Sequence, residues 1–308
     1  MTEKPYRIDI HNHILPNEYI SALYSIGIDR AAGVNFPRWD VESSLKFMDA
    51  QKIATTIVSI SSPGIYFKDK KFAQDLASKC NNIAARLISE YPGRFGAFAV
   101  LPLPDVEASI LELERTLDEL KLDGVGLLSS VDEIYLGDPV FEDLYSELNR
   151  RKAVVFVHPN TPPEEKLPNL RFRAAMLEFV FDTTRAATNL AYAGVTKRYP
   201  DIRFILPHAG GTVPYLAWRI SFGKRKILDS LKSFYYDTAV SGTSYALNSL
   251  SEFIEPSHIL FGCDYPFLPE RMIDTMIKGL EEYEGFDEKS RKMIERENAL
   301  TLFPRLNQ

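Results

Sequence analysis

This chain is poor in the features that would place it in several large classes of protein. It has two cysteines, Cys80 and Cys263, too few for a disulfide framework, so a reducing cytoplasm is the expected compartment. It has no basic excess: 36 Lys and Arg are scattered among 42 Asp and Glu, for a net charge of −6. That balance argues against nucleic acid as a partner. Its apolar runs are short and broken by charges, so none is expected to span a membrane, and the N-terminus shows no basic stretch leading into an apolar core that would mark a secretory signal. No Gly-x-Gly-x-x-Gly follows the first strand, so no dinucleotide fingerprint is present. Histidine is scarce as well, with five in the chain, and where those five fall carries most of the functional argument.

What is present is 308 residues, 45% hydrophobic and 25% charged, enough for a sizeable core. Residues 6–10 alternate as a strand does and run into Ile8-Asp9-Ile10-His11-Asn12-His13. Residues 14–40 show little periodicity and hold Pro16, Gly27, Gly33 and Pro37. They are expected to form a long insertion loop after strand one, with Phe36, Arg38 and Trp39 readable as a cover over a ligand or as surface residues of the insertion. Residues 41–52 read as a helix and 56–60 as a second strand. Phe72, Leu76, Cys80, Ile83, Leu87 and Tyr91 recur at steps of three and four, which predicts a long helix ending at Pro92-Gly93. A third strand follows at 95–101, then a helix capped by Asp105 with the stripe Val106, Ile110, Leu113, Leu117 and Leu120. Strand four is expected at 124–128, a helix at 141–151, and strand five at 153–157. The last is a continuous apolar run, as befits a parallel strand buried on both faces. Strands six, seven and eight are read at 203–206, 235–237 and 259–262. Short strands alternating with helices, without linker, repeat or low-complexity tract, predict one α/β domain over 1–308, a (β/α)8 TIM barrel. An open doubly wound sheet is the alternative, and it lacks its glycine signature.

Chemistry in such barrels gathers at the C-terminal ends of the strands. His11 and His13 lie two residues apart at the end of strand one, on one face, where both can bind a single metal ion. His158 follows strand five, His208 strand six and Asp264 strand eight. Four of the five histidines and a carboxylate thus converge on one mouth, while His258 precedes strand eight and is expected at the opposite end in a structural role. Neutral imidazole suits Zn, Mn or Fe. Asp9 is readable as a partner behind the histidines or as a cap or turn residue. Gly210-Gly211 is readable as an anion-binding helix start or as a tight turn beside the site. Tyr66, Phe67 and Trp218 are candidates for an aromatic pocket, with core packing as the plainer reading.

Asp9-Ile10-His11-Asn12-His13, Val157-His158-Pro159, Pro207-His208-Ala209-Gly210-Gly211 and Phe261-Gly262-Cys263-Asp264-Tyr265-Pro266 resemble the amidohydrolase superfamily. The nearest branch is the aminocarboxymuconate-semialdehyde decarboxylase group, which includes γ-resorcylate and 6-methylsalicylate decarboxylases. Asn149-Arg150-Arg151 through His158, with Phe181-Asp182-Thr183-Thr184-Arg185, is most similar to the 6-methylsalicylate decarboxylases. The resemblance implies metal ligands at His11, His13, His158 and Asp264, with His208 as the catalytic acid/base. It implies that Arg219, on the helix after His208, reaches the site of a neighbouring subunit, so that the active form is a dimer or an assembly of dimers. It also implies an arginine from the loop after strand one on the substrate carboxylate, which here falls on Arg38, beside Trp39, at a spacing that departs from the family pattern.

Binuclear members of this superfamily bridge two ions with a carboxylated lysine at the end of strand four. Here that place reads Gly126-Leu127-Leu128-Ser129-Ser130, so one divalent ion is expected, Zn before Mn. Deaminases place a glutamate shortly after the strand-five or strand-six histidine, and none is found. The leading expectation is non-oxidative decarboxylation of a small hydroxyaromatic or muconate-semialdehyde-type carboxylic acid, with His208, Asp264 or a water activated by His208 as the source of the proton and no redox cofactor. The alternatives are a metal-dependent lactone or amide hydrolase or a hydratase on the same residues, and a non-catalytic metal-binding barrel.

Overall fold

The computed structural model describes residues 6–162, 166, 167, 169 and 171–307. Eight parallel strands form one sheet: β1 (Arg7–His13), β2 (Ile53–Ser59), β3 (Phe95–Val100), β4 (Gly124–Leu128), β5 (Val154–His158), β6 (Arg203–Leu206), β7 (Tyr235–Asp237) and β8 (Ile259–Leu260), hydrogen-bonded in that order. The chain leaving β8 returns to β1 and closes the ring. Ile10 N–H donates to the Phe261 carbonyl (3.0 Å), Asp264 N–H to that of His11 (2.7 Å), and His13 N–H to that of Tyr265 (2.8 Å). The sheet is the (β/α)8 barrel that the alternation predicted.

Alternation along each strand builds two apolar layers. Ile57, Phe98, Phe156, Ile205 and Leu260 turn into the barrel with Ile8 and Ile10, and Leu302 and Phe303, at the end of the C-terminal helix Asn298–Leu302, plug the bottom. Val58, Ala97, Ala99, Val155, Val157, Phe204 and Leu206 point outward and pack under the helices. Those helices are α1 (Asn17–Ser25), α2 (Val41–Ala50), α3 (Lys70–Glu90), α4 (Val106–Glu114), α5 (Glu142–Arg150), α6 (Glu178–Tyr192), α7 (Val195–Arg198), α8 (Val213–Ser221), α9 (Arg225–Lys232), α10 (Ser244–Phe253) and α11 (Glu270–Glu281). Several start on an aspartate whose carboxylate accepts a backbone N–H of the first turn: Asp40 from Ser43, Asp69 from Phe72 and Asp105 from Ala108.

The stretch after β1 departs from the expected loop. Residues 17–25 form α1, which buries Tyr19 and Leu23, one turn apart. The pattern is too short to announce itself, and its start after Pro16 carries no polar cap. Beyond it, Arg30–Ala31 and Val34–Asn35 pair as an antiparallel hairpin. Phe36 and Trp39 pack against the core, and Arg38 is exposed. No helix among the described residues is long and apolar enough to cross a membrane.

Candidate metal centre and substrate cleft

The site begins with a slip in β1. Asp9 pairs with Thr56 and Asn12 with Val58, so three steps along β1 match two along β2. This is a β-bulge, and it reverses which face successive side chains take. Ile8 and Ile10 fill the barrel below it. His11 and His13, of opposite parity to them, still turn inward above it, where the His11 ring lies edge-on to Phe156. Asp9 fastens the bulge: its carboxylate accepts from the N–H groups of His11 (3.0 Å) and Cys263 (3.1 Å) and from the Asn12 amide (3.0 Å). Both readings of Asp9 meet here, since its carboxylate holds a turn by way of the backbone of a candidate ligand, His11. Burial, only partly offset by those bonds, pushes its carboxyl up to about 6.

Four side chains meet at the mouth. His11 Nε2 lies 3.1 Å from His13 Nε2 and 3.5 Å from Asp264 Oδ1, and His13 Nε2 lies 3.1 Å from that oxygen. With His158, their ligand atoms all fall within 4.8 Å of one another. The far nitrogens are tied back. His11 Nδ1 donates to Asp237 (2.7 Å) and His158 Nδ1 to the Pro159 carbonyl (2.7 Å), while His13 Nδ1 meets the Ser59 hydroxyl (2.9 Å). A carboxylate and a carbonyl only accept, so Nδ1 of His11 and of His158 each carries a proton, and Nε2 is the nitrogen that each ring turns inward. Lone pairs converging this closely repel unless a cation lies between them, and three imidazoles with one carboxylate are a fitting set for one divalent ion.

Electrostatics agree with the geometry. Burial disfavours charge on His13 and His158, and neighbouring imidazoles depress His158 further, so both are held below the usual histidine range. Burial also opposes ionisation of Asp264, but His11, His13 and His208 outweigh it and hold the carboxyl well below its usual range. At His11, burial is overcome by Asp237 and Asp264, which push it up to about 10, so without an ion the ring carries a second proton, on Nε2, that an ion bound there would displace. The centre is thus a seat for positive charge. His208 stands beside it, its Nε2 3.5 Å from Asp264 Oδ2 and its Nδ1 buried without a partner among the described residues. His208 and Asp264 both sit at positive φ, +54° and +59°, a strained conformation for residues with a Cβ that functional sites tolerate. Gly211 allows the chain to turn here: at φ +65° a Cβ would meet the Val180 carbonyl at 2.2 Å. That geometry supports the tight-turn reading of Gly210-Gly211.

Above the centre opens a cleft of about 670 Å³, with His158, His208 and Asp264 in its floor. Phe179, Met176, Phe267 and Val240 give it an apolar wall, and the hairpin residues Ala31 and Val34 close one side. Arg171 and Arg173, on the segment between β5 and α6, line it too. Sequence reading missed them because nothing periodic marks that segment. Arg38, Trp39 and Arg219 are not among the lining residues; Trp39 packs on the core and Arg219 is exposed on α8. Tyr66 and Phe67 pack against the core, and Trp218 is 76% exposed. His258 stacks on Tyr235 in the turn that enters β8, away from the mouth as expected.

A (β/α)8 barrel with a three-histidine, one-aspartate cluster at its C-terminal mouth defines a metal-dependent enzyme of the amidohydrolase kind. The chain belongs to the amidohydrolase family, whose sequence model matches residues 8–305, within the branch whose members are named decarboxylases. It is 36% identical to a 6-methylsalicylic acid decarboxylase of Aspergillus aculeatus over 97% of this chain and 96% of that one. Among solved structures it resembles an amidohydrolase II (29% identity, TM-score 0.92, covering 98% of this chain and 100% of the other). It also shares its fold with a dihydroxybenzoic acid decarboxylase from Polaromonas that holds manganese and the inhibitor 2-nitroresorcinol (24% identity, TM-score 0.85, 98% of each chain).

Proposed function

We propose that this protein is a metal-dependent, non-oxidative decarboxylase of a small hydroxyaromatic carboxylic acid, with 6-methylsalicylate as the first candidate. His11, His13, His158 and Asp264 hold one divalent ion, zinc before manganese. The observation that carries the reading is that His158 and Asp264 of this cluster share with His208 the floor of a single cleft with an aromatic wall. A divalent ion held there supplies Lewis acidity toward the hydroxyl and carboxylate oxygens of the acid.

The chain's own residues do the rest. Phe179 and Phe267 give the ring an apolar wall and keep water from it. Arg171 and Arg173 offer forked donors to the carboxylate from the rim. His208, against Asp264, delivers a proton to the ring carbon that bears the carboxylate. The bond from that carbon to the carboxylate then breaks, its electron pair restores the aromatic ring, and carbon dioxide leaves. No oxidant or reductant is consumed.

The test is release of carbon dioxide and the matching phenol from 6-methylsalicylate and from 2,6-dihydroxybenzoate, with added Zn or Mn. Turnover of lactones or amides with no carbon dioxide from any hydroxyaromatic acid would favour the hydrolase reading instead.

We also propose that the active form is a homodimer or an assembly of dimers. Tyr215 and Trp218 on α8 and Phe222 at its C-terminal cap lie at steps of three and four and are 82%, 76% and 78% exposed. They form an apolar stripe on the outer face of a helix whose inner face, Val213 and Ala217, is already buried. Tyr245, on α10, which packs against α8, is 92% exposed. A second copy of the chain is the partner this face suits, and Arg219 lies within it.

A further inference from the structure

Asp182 is wholly buried on α6, away from the metal cluster, and no step above uses it. Three groups converge on its carboxylate. Ser129 at the end of β4 donates its hydroxyl to Oδ2. Tyr135, from the hairpin Ser130–Val131/Ile134–Tyr135, donates its hydroxyl to Oδ1. The backbone N–H of Asn160 donates to Oδ2 at 2.9 Å and is shared with the Ser129 hydroxyl oxygen at 3.0 Å. Arg185 is farther off, at 3.9 Å and half exposed.

The Asn160 N–H belongs to the same peptide plane as the Pro159 carbonyl. That carbonyl accepts the Nδ1 proton of His158 at 2.7 Å. One peptide group is therefore clamped at both ends, by a buried carboxylate on its N–H and by a candidate metal ligand on its oxygen. A carboxylate at the N–H end polarises the amide and makes its oxygen a better acceptor. The Nδ1–H of His158 is then held firmly, its ring orientation is fixed and its Nε2 lone pair gains donor strength. Ser129 adds a second hold, since its own N–H donates to the His158 carbonyl at 2.8 Å. Where metal ligation through a histidine commonly has a carboxylate directly behind it, as Asp237 stands behind His11, His158 has one behind it through a peptide bond.

We infer that Asp182 is a positioning residue for the metal centre, acting on His158 through the Pro159–Asn160 peptide, with Ser129 and Tyr135 holding its carboxylate in place. The inference rests on the metal reading proposed above. Tyr135 suits this role: burial, then Asp182, pushes its phenol up to about 12, so it stays protonated and donates across the working pH range. Phe179, three residues before Asp182 on α6, meets the His158 ring edge-on. One helix thus sets both the wall of the cleft and the hold on a ligand.

The experiment is a metal titration that needs no substrate. The metal-free protein is titrated with Mn(II), and separately with Co(II) to record the visible spectrum of the bound ion. Asp182→Asn should weaken Mn(II) binding about 10- to 100-fold and alter the Co(II) spectrum, while Asp182→Glu should recover part of the affinity. Tyr135→Phe and Ser129→Ala, milder changes that keep the carboxylate, should each weaken binding several-fold and keep the result readable if Asp182→Asn does not fold. Asn81→Ala is the control for stability alone, since Asn81 is buried and bonds the Val100 backbone away from the centre; it should melt lower and bind Mn(II) as the parent does. Folded variants at Ser129, Tyr135 and Asp182 that bind Mn(II) as tightly as the parent would overturn this inference and leave the metal reading intact. A parent chain that binds neither ion would overturn both.

Discussion

His208 is where acid/base work can be separated from metal binding. Its Nε2 touches Asp264 but it is not one of the four clustered ligands, so His208→Ala should keep one metal per chain and the parent's melting behaviour while carbon dioxide release falls about 10²–10⁴-fold. Metal analysis of that variant checks the assignment; loss of the ion would make His208 a ligand. His258→Ala, at the stacked position on Tyr235, should leave activity nearly unchanged. The companion prediction is stoichiometry: elemental analysis should return one divalent ion per parent chain and almost none in the double variant His11→Ala plus His158→Ala. Two ions per parent chain, or metal retained in the double variant, would sink the assignment. The four proposed ligands and His208 could be read from the sequence because each ends or follows a strand on the side where barrels gather their chemistry, although the bulge in β1, not strand periodicity, is what turns His11 and His13 inward. Asp182, Arg171 and Arg173 could not. Asp182 acts from the middle of a helix through a backbone group belonging to another element, and the two arginines lie just before Ala175, whose N–H donates to the Ala32 carbonyl of the hairpin after β1, a tertiary contact that leaves no periodic mark in the sequence.

Elements were legible where local chemistry decides them and obscure where packing does. β4, β6 and β7 fall on the residues the pattern predicts, and the Asp105 cap of α4 is present. The bulge in β1 was not legible, because a one-residue slip leaves no mark in composition, and α1 was hidden in a stretch read as loop. The segment between β5 and α6 yields a prediction at this scale: Arg171→Ala and Arg173→Ala should raise KM for the aromatic acid by more than they lower kcat, since they line the rim rather than the floor. Equal kcat and KM in both variants would remove the rim from substrate binding. On the outside of the barrel, α5 carries Glu147, whose carboxyl is drawn down to about 2 chiefly by the hydrogen bond from Arg150, with Arg151 helping to outweigh the opposing effect of burial. Because the folded value lies below the unfolded one, near 4.5, this group favours the folded state above about pH 4.5 and loses that contribution as pH falls toward 2. Glu147→Gln should therefore melt slightly lower than the parent at pH 7, by a small margin given solvent screening at the helix surface, and the gap should close in acid. A gap that stays constant with pH would mean that charge at Glu147 is not what stabilises α5. Arg150 and Arg151, prominent in the sequence resemblance, are engaged with Glu147 and Asp118 on this outer helix.

At the scale of the whole molecule, the mouth of the barrel and the α8 stripe pose one question, whether the site is completed by a second chain. Arg219 shares the exposed face of α8 with Tyr215, Trp218 and Phe222, and it does not line its own chain's cleft. An arginine set among aromatic side chains on an outer helix would, in a monomer, leave a large apolar surface in water for no return. In a two-fold dimer the same stripe packs against itself, and each Arg219 can be carried toward the neighbouring mouth. Sedimentation of the parent should show a dimer or larger assembly, and Trp218→Glu should shift it toward monomer with loss of activity. Mixing chains tests the shared site directly. If Arg219 serves the partner, an Arg219→Ala chain and a His208→Ala chain, each nearly inactive alone, should regain activity when they exchange subunits. The mixed dimer then has one site with both defects and one with neither, so a fully exchanged mixture at equal ratio should approach a quarter of the parent's activity. If Arg219 serves its own site, each site in the mixed dimer keeps one defect and no activity returns. A parent that sediments as a monomer with full turnover would end the proposal.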